Sequence, residues 1–377
     1  MEIARAYKTE LDPNNWQASQ FQRFAEVRRF VFNVGLREWQ CAYKRGEKPS
    51  AYGLKKQFNE VKDAYFPNVR DAPYAVTEAA FKDLGEAFKH FFRRIKNGEK
   101  PGYPKFKRDA DSFAVRSTRF EDSRVRITGI GWVRLKERGY IPTTESGAKF
   151  GTYARITKRA GRWFISVSVY EDVDVPKNGH GDVIGVDLGL HHLVVCSDSA
   201  TFDRSRALED AERKLRRLDK ELARRKKGGK NWHKTKRKRQ IAYYRVSTAR
   251  QHWLHQISHY LTAERRPSTI VLEDLNVKGM MHNHHLAKAL SEASFGELRR
   301  QIEYKAEPLG IEVVVVDRWF PSSKTCSRCG CIKDDLTLSD RVYHCDECGF
   351  EIDRDLNAAL NLAAMGKAQT APDCPGS

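Results

Sequence analysis

The chain has 377 residues, enough for two or three units with separate cores, and its hydrophobic content of 40% and aromatic content of 11% are ordinary for a globular protein. Charge is the exception: Lys+Arg 68 against Asp+Glu 49 leaves a formal net charge of +19, which points to a polyanionic partner, because cations that displace condensed counterions grip phosphates strongly and salt-sensitively. No run approaches the ~20 apolar residues that span a bilayer, and the N-terminal MEIARAYKTELDP lacks the apolar core of a signal peptide, so no membrane partner and a cytoplasmic location are expected.

In chain order, Arg5-Ala6-Tyr7-Lys8 reads as extended and Asp12-Pro13-Asn14-Asn15 as a turn. Phe21, Phe24, Val27, Val31, Val34 and Leu36 then recur at helical spacing. A second helix carries Val76, Phe81, Leu84, Phe88, Phe91 and Ile95 on one stripe and stops at Asn97-Gly98; the stripe reads as core. The linker PGYPKFKR (101–108) follows. From about 111 to 173 the pattern alternates, as in Arg124-Val125-Arg126-Ile127, and TYARITKRAGRWFISVSVY reads as a hairpin turning at Ala160-Gly161.

The stretch 173–181, ending in Asn178-Gly179-His180-Gly181, marks a boundary. Beyond it VIGVDLGL (183–190) and LVVCSD (193–198) read as a hairpin of buried strands, and STIVLEDL (268–275) and IEVVVVDRW (311–319) as two further strands. Between 209 and 262 lies a helical hairpin with a narrow seam of Leu215, Leu218 and Leu222 and the basic run RRKKGGKNWHKTKRKRQ, continued by Tyr244, Trp253, Ile257 and Leu261.

Two constellations carry chemistry. Cys326-x-x-Cys329 and Cys345-x-x-Cys348, separated by 15 residues, have the spacing of a four-thiolate zinc ribbon, and Gly330 and Gly349 supply the permissive backbone behind each pair. Cys331 breaks the paired spacing and is placed outside the ligand set; Cys41, Cys196 and Cys374 are scattered. The second constellation is acidic: Asp187 ends one apolar strand, Glu273 another, and Asp355 opens the helix DLNAALNLAAM. Carboxylates at apolar strand ends are costly unless they meet cations, and three together would hold two Mg²⁺ (or Mn²⁺) ions about 4 Å apart for phosphodiester hydrolysis. Each acid also has a structural reading. Asp187 could shape the Asp-Leu-Gly turn, Glu273 or Asp274 could be a solvated strand end, and Asp353 or Asp355 could cap the helix. His180, His191, His192, His282, His284 and His285 lack regular metal spacing, and no P-loop or nucleophile elbow occurs.

The order GVDLGL, VLEDLNVKGM, CSRCG, CDECG and DRDLNAALN, preceded by RRFVFNVGLREW, AFKHFFRR, PGYPKFK and GRWFISVSV, resembles the insertion-sequence-encoded TnpB family, relatives of the type V CRISPR effectors, over nearly the whole chain. The resemblance implies an α/β multidomain fold: a β-barrel wedge domain (1–12 and 109–180) interrupted by a helical recognition domain (13–108), and a RuvC-like, RNase H-type nuclease domain (181–321 and 351–377). The nuclease domain would carry the basic helical insertion 209–262 and a zinc-ribbon insertion (322–350) that binds target nucleic acid. It also implies a transposon-derived guide RNA, a double-stranded DNA target beside a short flanking motif, and a prokaryotic, nucleoid-associated setting. Asp187, Glu273 and Asp355 would be the catalytic acids and Mg²⁺ ligands; Asp355 is preferred to Asp353 because the family acid lies two positions before the asparagine, here Asn357. Cys326, Cys329, Cys345 and Cys348 would hold Zn²⁺. A guided repressor without cleavage and a strand-joining transposase are the alternatives; the intact acids argue against the first, the ribbon placement and DRDLNAAL against the second.

Overall fold

Asn14, two residues past the end of the first strand, caps the first helix. Its side chain accepts from the Gln17 backbone N–H at 2.8 Å while Gln17 accepts from the Asn14 N–H at 3.1 Å, a capping box that satisfies two otherwise orphaned donors. The computed structural model describes residues 1–116, 118–176, 181–280, 282, 293–337 and 339–370. It divides into two units, Glu2–Asp172 and Val173 onward together with Met1. His180 and residues 177–179 of the boundary stretch, with Asn283, His284, His285 and Cys374, lie outside the described residues.

In the first unit β1 (Glu2–Asp12) leads into α1 (Asn15–Lys44), which buries Phe21, Phe24, Val27, Val31 and Leu36 as the spacing predicts. Helix α2 (Ala51–Tyr65), capped by Ser50, went unread in the sequence: it buries only Leu54 and Phe58, too few apolar positions for a periodic signal. Helix α3 (Tyr74–Lys96) completes the set, and its C-cap is Asn97.

The strands β2 (Ser112–Val115), β3 (Arg119–Glu121), β4 (Arg124–Ile127), β5 (Gly131–Leu135), β6 (Lys149–Phe150), β7 (Ala154–Arg159) and β8 (Arg162–Asp172) join β1 in an eight-stranded sheet of order β2-β7-β8-β1-β5-β4-β3, with β6 paired to β8. Ala160 and Gly161 both have positive φ, 51° and 80°, the geometry a tight hairpin needs. The basic linker has no regular structure, yet Lys107 is pinned to Asn33 by two hydrogen bonds of 2.8 and 2.9 Å.

The second unit is built on a five-stranded sheet of order β11-β10-β9-β12-β13, from β9 (Val183–Asp187), β10 (Val194–Cys196), β11 (Thr201–Phe202), β12 (Thr269–Glu273) and β13 (Glu312–Val316). β9, β12 and β13 are parallel, and β10 and β11 fold back antiparallel. The basic insertion is the helical hairpin α4 (Arg206–Ala223) and α5 (Lys230–His259); α6 (Val277–Met280) and α7 (Phe295–Ala306) precede β13. The two-stranded ribbon β14 (Val342–His344) and β15 (Glu351–Asp353) leads directly into α8 (Arg354–Thr370). Among the described residues no helix is long and apolar enough to cross a membrane.

Strand alternation decides which face each side chain joins. Ile184, Val186, Ile270 and Leu272 pack with Leu254, Ile257, Leu298 and Ile302 of α5 and α7, whereas Val271 and Val316 pack with Leu362 of α8. By the same two-residue period, Val183, Gly185 and Asp187 of β9 and Val271 and Glu273 of β12 face α8. Gly185 is what lets α8 lie so close: a Cβ there would sit 2.0 Å from the Ala359 carbonyl oxygen and 2.5 Å from the Ala363 nitrogen.

Candidate active site

Asp187 and Glu273 occupy equivalent positions on neighbouring parallel strands, one step beyond the register pair Leu272–Val186, on the face that α8 covers. Adjacent strands lie about 4.8 Å apart. Asp355, only 8% exposed, sits in the first turn of α8, and the close Gly185–Ala359 approach brings that turn to the carboxyl ends of the strands. Burial raises the Asp187 pKa to about 7, with repulsion from Asp355 and then Glu273 adding to it. Glu273 is also raised, by burial first and then by Asp274.

Asp353 and Asp355, which residue type alone does not separate, sit differently in the structure. The Asp353 carboxylate accepts from the backbone N–H groups of Asp355 and Leu356, each at 3.0 Å, so it caps α8 and is spent on the backbone. Asp355 turns inward, with Arg354 at 3.1 Å as its cationic partner. At the other end Asp274 is held by Arg318 and by Arg299 at 3.3 Å, whereas Glu273 makes no ion pair among the described residues.

The four cysteines of the ribbon come together. Their ligand atoms lie within 4.8 Å of one another, with Cys326 Sγ 3.7 Å from Cys348 Sγ and Cys329 Sγ 3.5 Å from Cys345 Sγ. A tetrahedral zinc with Zn–S bonds of about 2.3 Å has sulfur–sulfur edges of about 3.8 Å, so the donor set fits that ion. Backbone N–H donation from Cys348 and Glu347 lowers the Cys345 thiol to about 6, whereas Cys329 and Cys348 are raised, so of these three Cys345 ionises first. Cys331 is not in the cluster; its carbonyl accepts from the Cys326 N–H at 2.8 Å. Among the described residues this is the one set of three or more potential ligands gathered so tightly, and the three carboxylates are more loosely grouped. The donor chemistry of the trio, all oxygen, suits hard divalent ions.

Sequence reasoning missed what ties ribbon to helix. Asn357 donates to the Thr325 carbonyl at 2.7 Å and accepts from the Ser327 N–H at 3.0 Å, and Asn361 donates to the carbonyls of Ser322 and Thr325 at 2.8 and 2.6 Å. Two asparagines four residues apart within an alanine- and leucine-rich helix were the available signal, since buried amides need partners.

A mixed sheet with three parallel strands, acids at their carboxyl ends and a four-thiolate ribbon inserted before the last helix defines a RuvC-like α/β fold. The comparisons with known proteins agree. Residues 295–362 match a model described as "Cas12f1-like, TNB domain", 165–284 one described as "Probable transposase", and 1–48 one described as "Helix-turn-helix domain", although here those residues form β1 and the single long helix α1. A Streptomyces pristinaespiralis protein named "Putative RNA-guided DNA endonuclease" is 31% identical over 98% of this chain and 91% of its own. An Escherichia coli K12 protein of that name, InsQ, is 27% identical over 98% and 94%. The chain belongs to the TnpB family, related to Cas12f. Among solved structures, a Cas12f1 complex with guide RNA and target DNA superposes with TM-score 0.60 at 16% identity, covering 93% of this chain and 83% of that one. The mini-endonuclease Cas_phi3 superposes with TM-score 0.54 at 11% identity, covering 96% and 92%. These two establish a shared fold.

Proposed function

We propose that this protein is an RNA-guided DNA endonuclease that hydrolyses phosphodiester bonds in a Mg²⁺-dependent, RuvC-like site made by Asp187, Glu273 and Asp355. The observation that carries the reading is the convergence of these three acids, from two strand ends and one helix start, on one face of the sheet. Divalent ions bound there would activate a water and stabilise the leaving oxygen. The chain's own part is to hold the oxygen donors in place. β9 and β12 fix Asp187 and Glu273 side by side, the Asp353 cap fixes the first turn of α8, and Arg354 offsets part of the charge at Asp355. Cys326, Cys329, Cys345 and Cys348 would hold Zn²⁺ as a staple for a ribbon whose own core is little more than Tyr343 and its neighbours. The excess of cations, dense on α4 and α5, would grip the guide and its DNA heteroduplex through phosphates, while base pairing reads sequence.

The test is to purify the protein from cells carrying its native locus, sequence the RNA that accompanies it, and offer a matching duplex with Mg²⁺. A discrete RNA and RNA-matched cleavage are expected, with Asp187→Ala binding DNA but not cutting. Absence of an RNA, or parental cutting by the variant, would overturn the reading. Joined rather than cut strands in the same reaction would favour the transposase alternative.

A further inference from the structure

The tight turn after β13 carries an unusual side chain. Trp319 is 84% exposed, more than any other large hydrophobic residue among those described. It is not on a loose loop. Its backbone N–H donates to Asp317 Oδ1 at 2.8 Å, the Phe320 N–H to the Asp317 carbonyl at 3.0 Å, and the Ser322 N–H to the Phe320 carbonyl at 2.8 Å. On one side Arg318 is clamped to Asp274, and on the other Phe320 packs against the core of Val271, Val316 and Leu362. The backbone around the indole is anchored, while the ring has solvent around most of it.

Its place matters. Val316 pairs in register with Glu273, and the Asp274 N–H donates to the Val316 carbonyl at 3.0 Å. Trp319 follows three residues later, so its Cα lies within roughly 10 Å of that of Val316 at the limit of chain extension. The turn that carries the ring therefore leaves the sheet at the strand end where Glu273 lies, next in sequence to Arg318, whose guanidinium is paired with Asp274. An exposed aromatic face on an anchored turn, next in sequence to a cation and near the candidate acids, has the chemistry of a platform for an unpaired base, since every base offers a π-face and single strands are bound by stacking with backbone charge contacts.

We propose that Trp319 stacks on one unpaired nucleobase of the DNA strand presented to the acids, setting how that strand lies in the site. This rests on the nuclease reading above, and its test reads binding separately from cleavage. In an Asp187→Ala background the RNA-loaded protein is titrated with fluorescently labelled single-stranded DNA of mixed sequence, and with a series in which one base at a time is abasic. Removing a stacked base or its platform weakens binding about 5- to 150-fold, so Trp319→Ala should lose affinity by a factor in that range and Trp319→Phe should restore most of it. The salt dependence should be unchanged, because no phosphate contact is removed. One abasic position should weaken the parent and have no further effect on Trp319→Ala. In cleavage by the Asp187 protein, KM should rise more than kcat falls.

Equal affinity of the alanine and parent proteins, or an abasic profile identical in both, overturns the proposal. So does a fall in kcat alone with KM unchanged, which would mark a purely structural role. Failure of the Asp187→Ala test would sink the nuclease reading while leaving the binding result to stand or fall by itself. Unchanged thermal unfolding and zinc content in both Trp319 variants excludes misfolding as the cause.

Discussion

Asp187→Asn is expected to stabilise the magnesium-free protein while abolishing cleavage. Burial and the neighbouring carboxylates of Asp355 and Glu273 move the Asp187 pKa from 3.8 to about 7. Each unit is worth about 1.4 kcal/mol, so the charged form costs the native state at most about 4 kcal/mol. Relaxation of the loosely grouped acids and of the solvent at the strand ends reduces this to about 1–3 kcal/mol. The sign follows from proton counting. Between pH 4 and 7 the native state keeps a proton that the unfolded chain has released, so wild-type stability falls as pH rises through that window. Above pH 7 the penalty is complete, and below about pH 4 it is gone. The amide carries no charge, so the variant's advantage should grow from nearly nothing at pH 4 to its full size by pH 8. Thermal and urea unfolding in magnesium-free buffer, with zinc retained, measure it. Added Mg²⁺ should then close the gap by stabilising wild type alone, by about 2.7 kcal/mol at a hundred times its Kd. A gap that does not vary with pH, or equal stabilisation of both proteins by Mg²⁺, would refute the placement of Asp187 among the acids.

Asp353→Ala removes a helix cap and should cost about 1 kcal/mol of stability while retaining cleavage, whereas Asp355→Ala should abolish cleavage in the same RNA-guided assay. Gly185→Ala drives a methyl into the backbone of α8 and should cost about 1–3 kcal/mol in unfolding, with cleavage falling further than DNA binding because the first turn of α8 shifts. Replacing Cys345 and Cys348 with Ser should lower bound zinc, read by metal analysis, and open the ribbon to proteolysis; undiminished cleavage with folding intact would exclude a role for the ribbon in loading substrate strands. Asn361→Ala should cost about 1–3 kcal/mol by leaving the carbonyls of Ser322 and Thr325 with one donor fewer, measured by urea unfolding.

Much of this was legible because it depends on short-range patterning. Apolar alternation marks β9 and β12, helical spacing marks α1 and α3, and the paired cysteines carry their own geometry, because a two-residue gap aims both sulfurs at one point. Helix α2 was not legible, because two buried residues leave no period to read. The choice of Asp355 over Asp353 came from the family resemblance and not from residue chemistry. Both are acids at a helix start, and only the direction in which the first turn faces the sheet separates cap from site.

The sequence by itself determined the inventory: an excess of cations, four thiolates in ribbon spacing, and acids at the ends of apolar segments. Tertiary structure decided the assembly. Asp187, Glu273 and Asp355 are separated by some 80 residues each, and no local preference brings them together; the parallel pairing of β9 with β12 and the bare backbone at Gly185 do. The same long-range packing left the Trp319 ring in solvent, an outcome set by what surrounds a residue and not by its type.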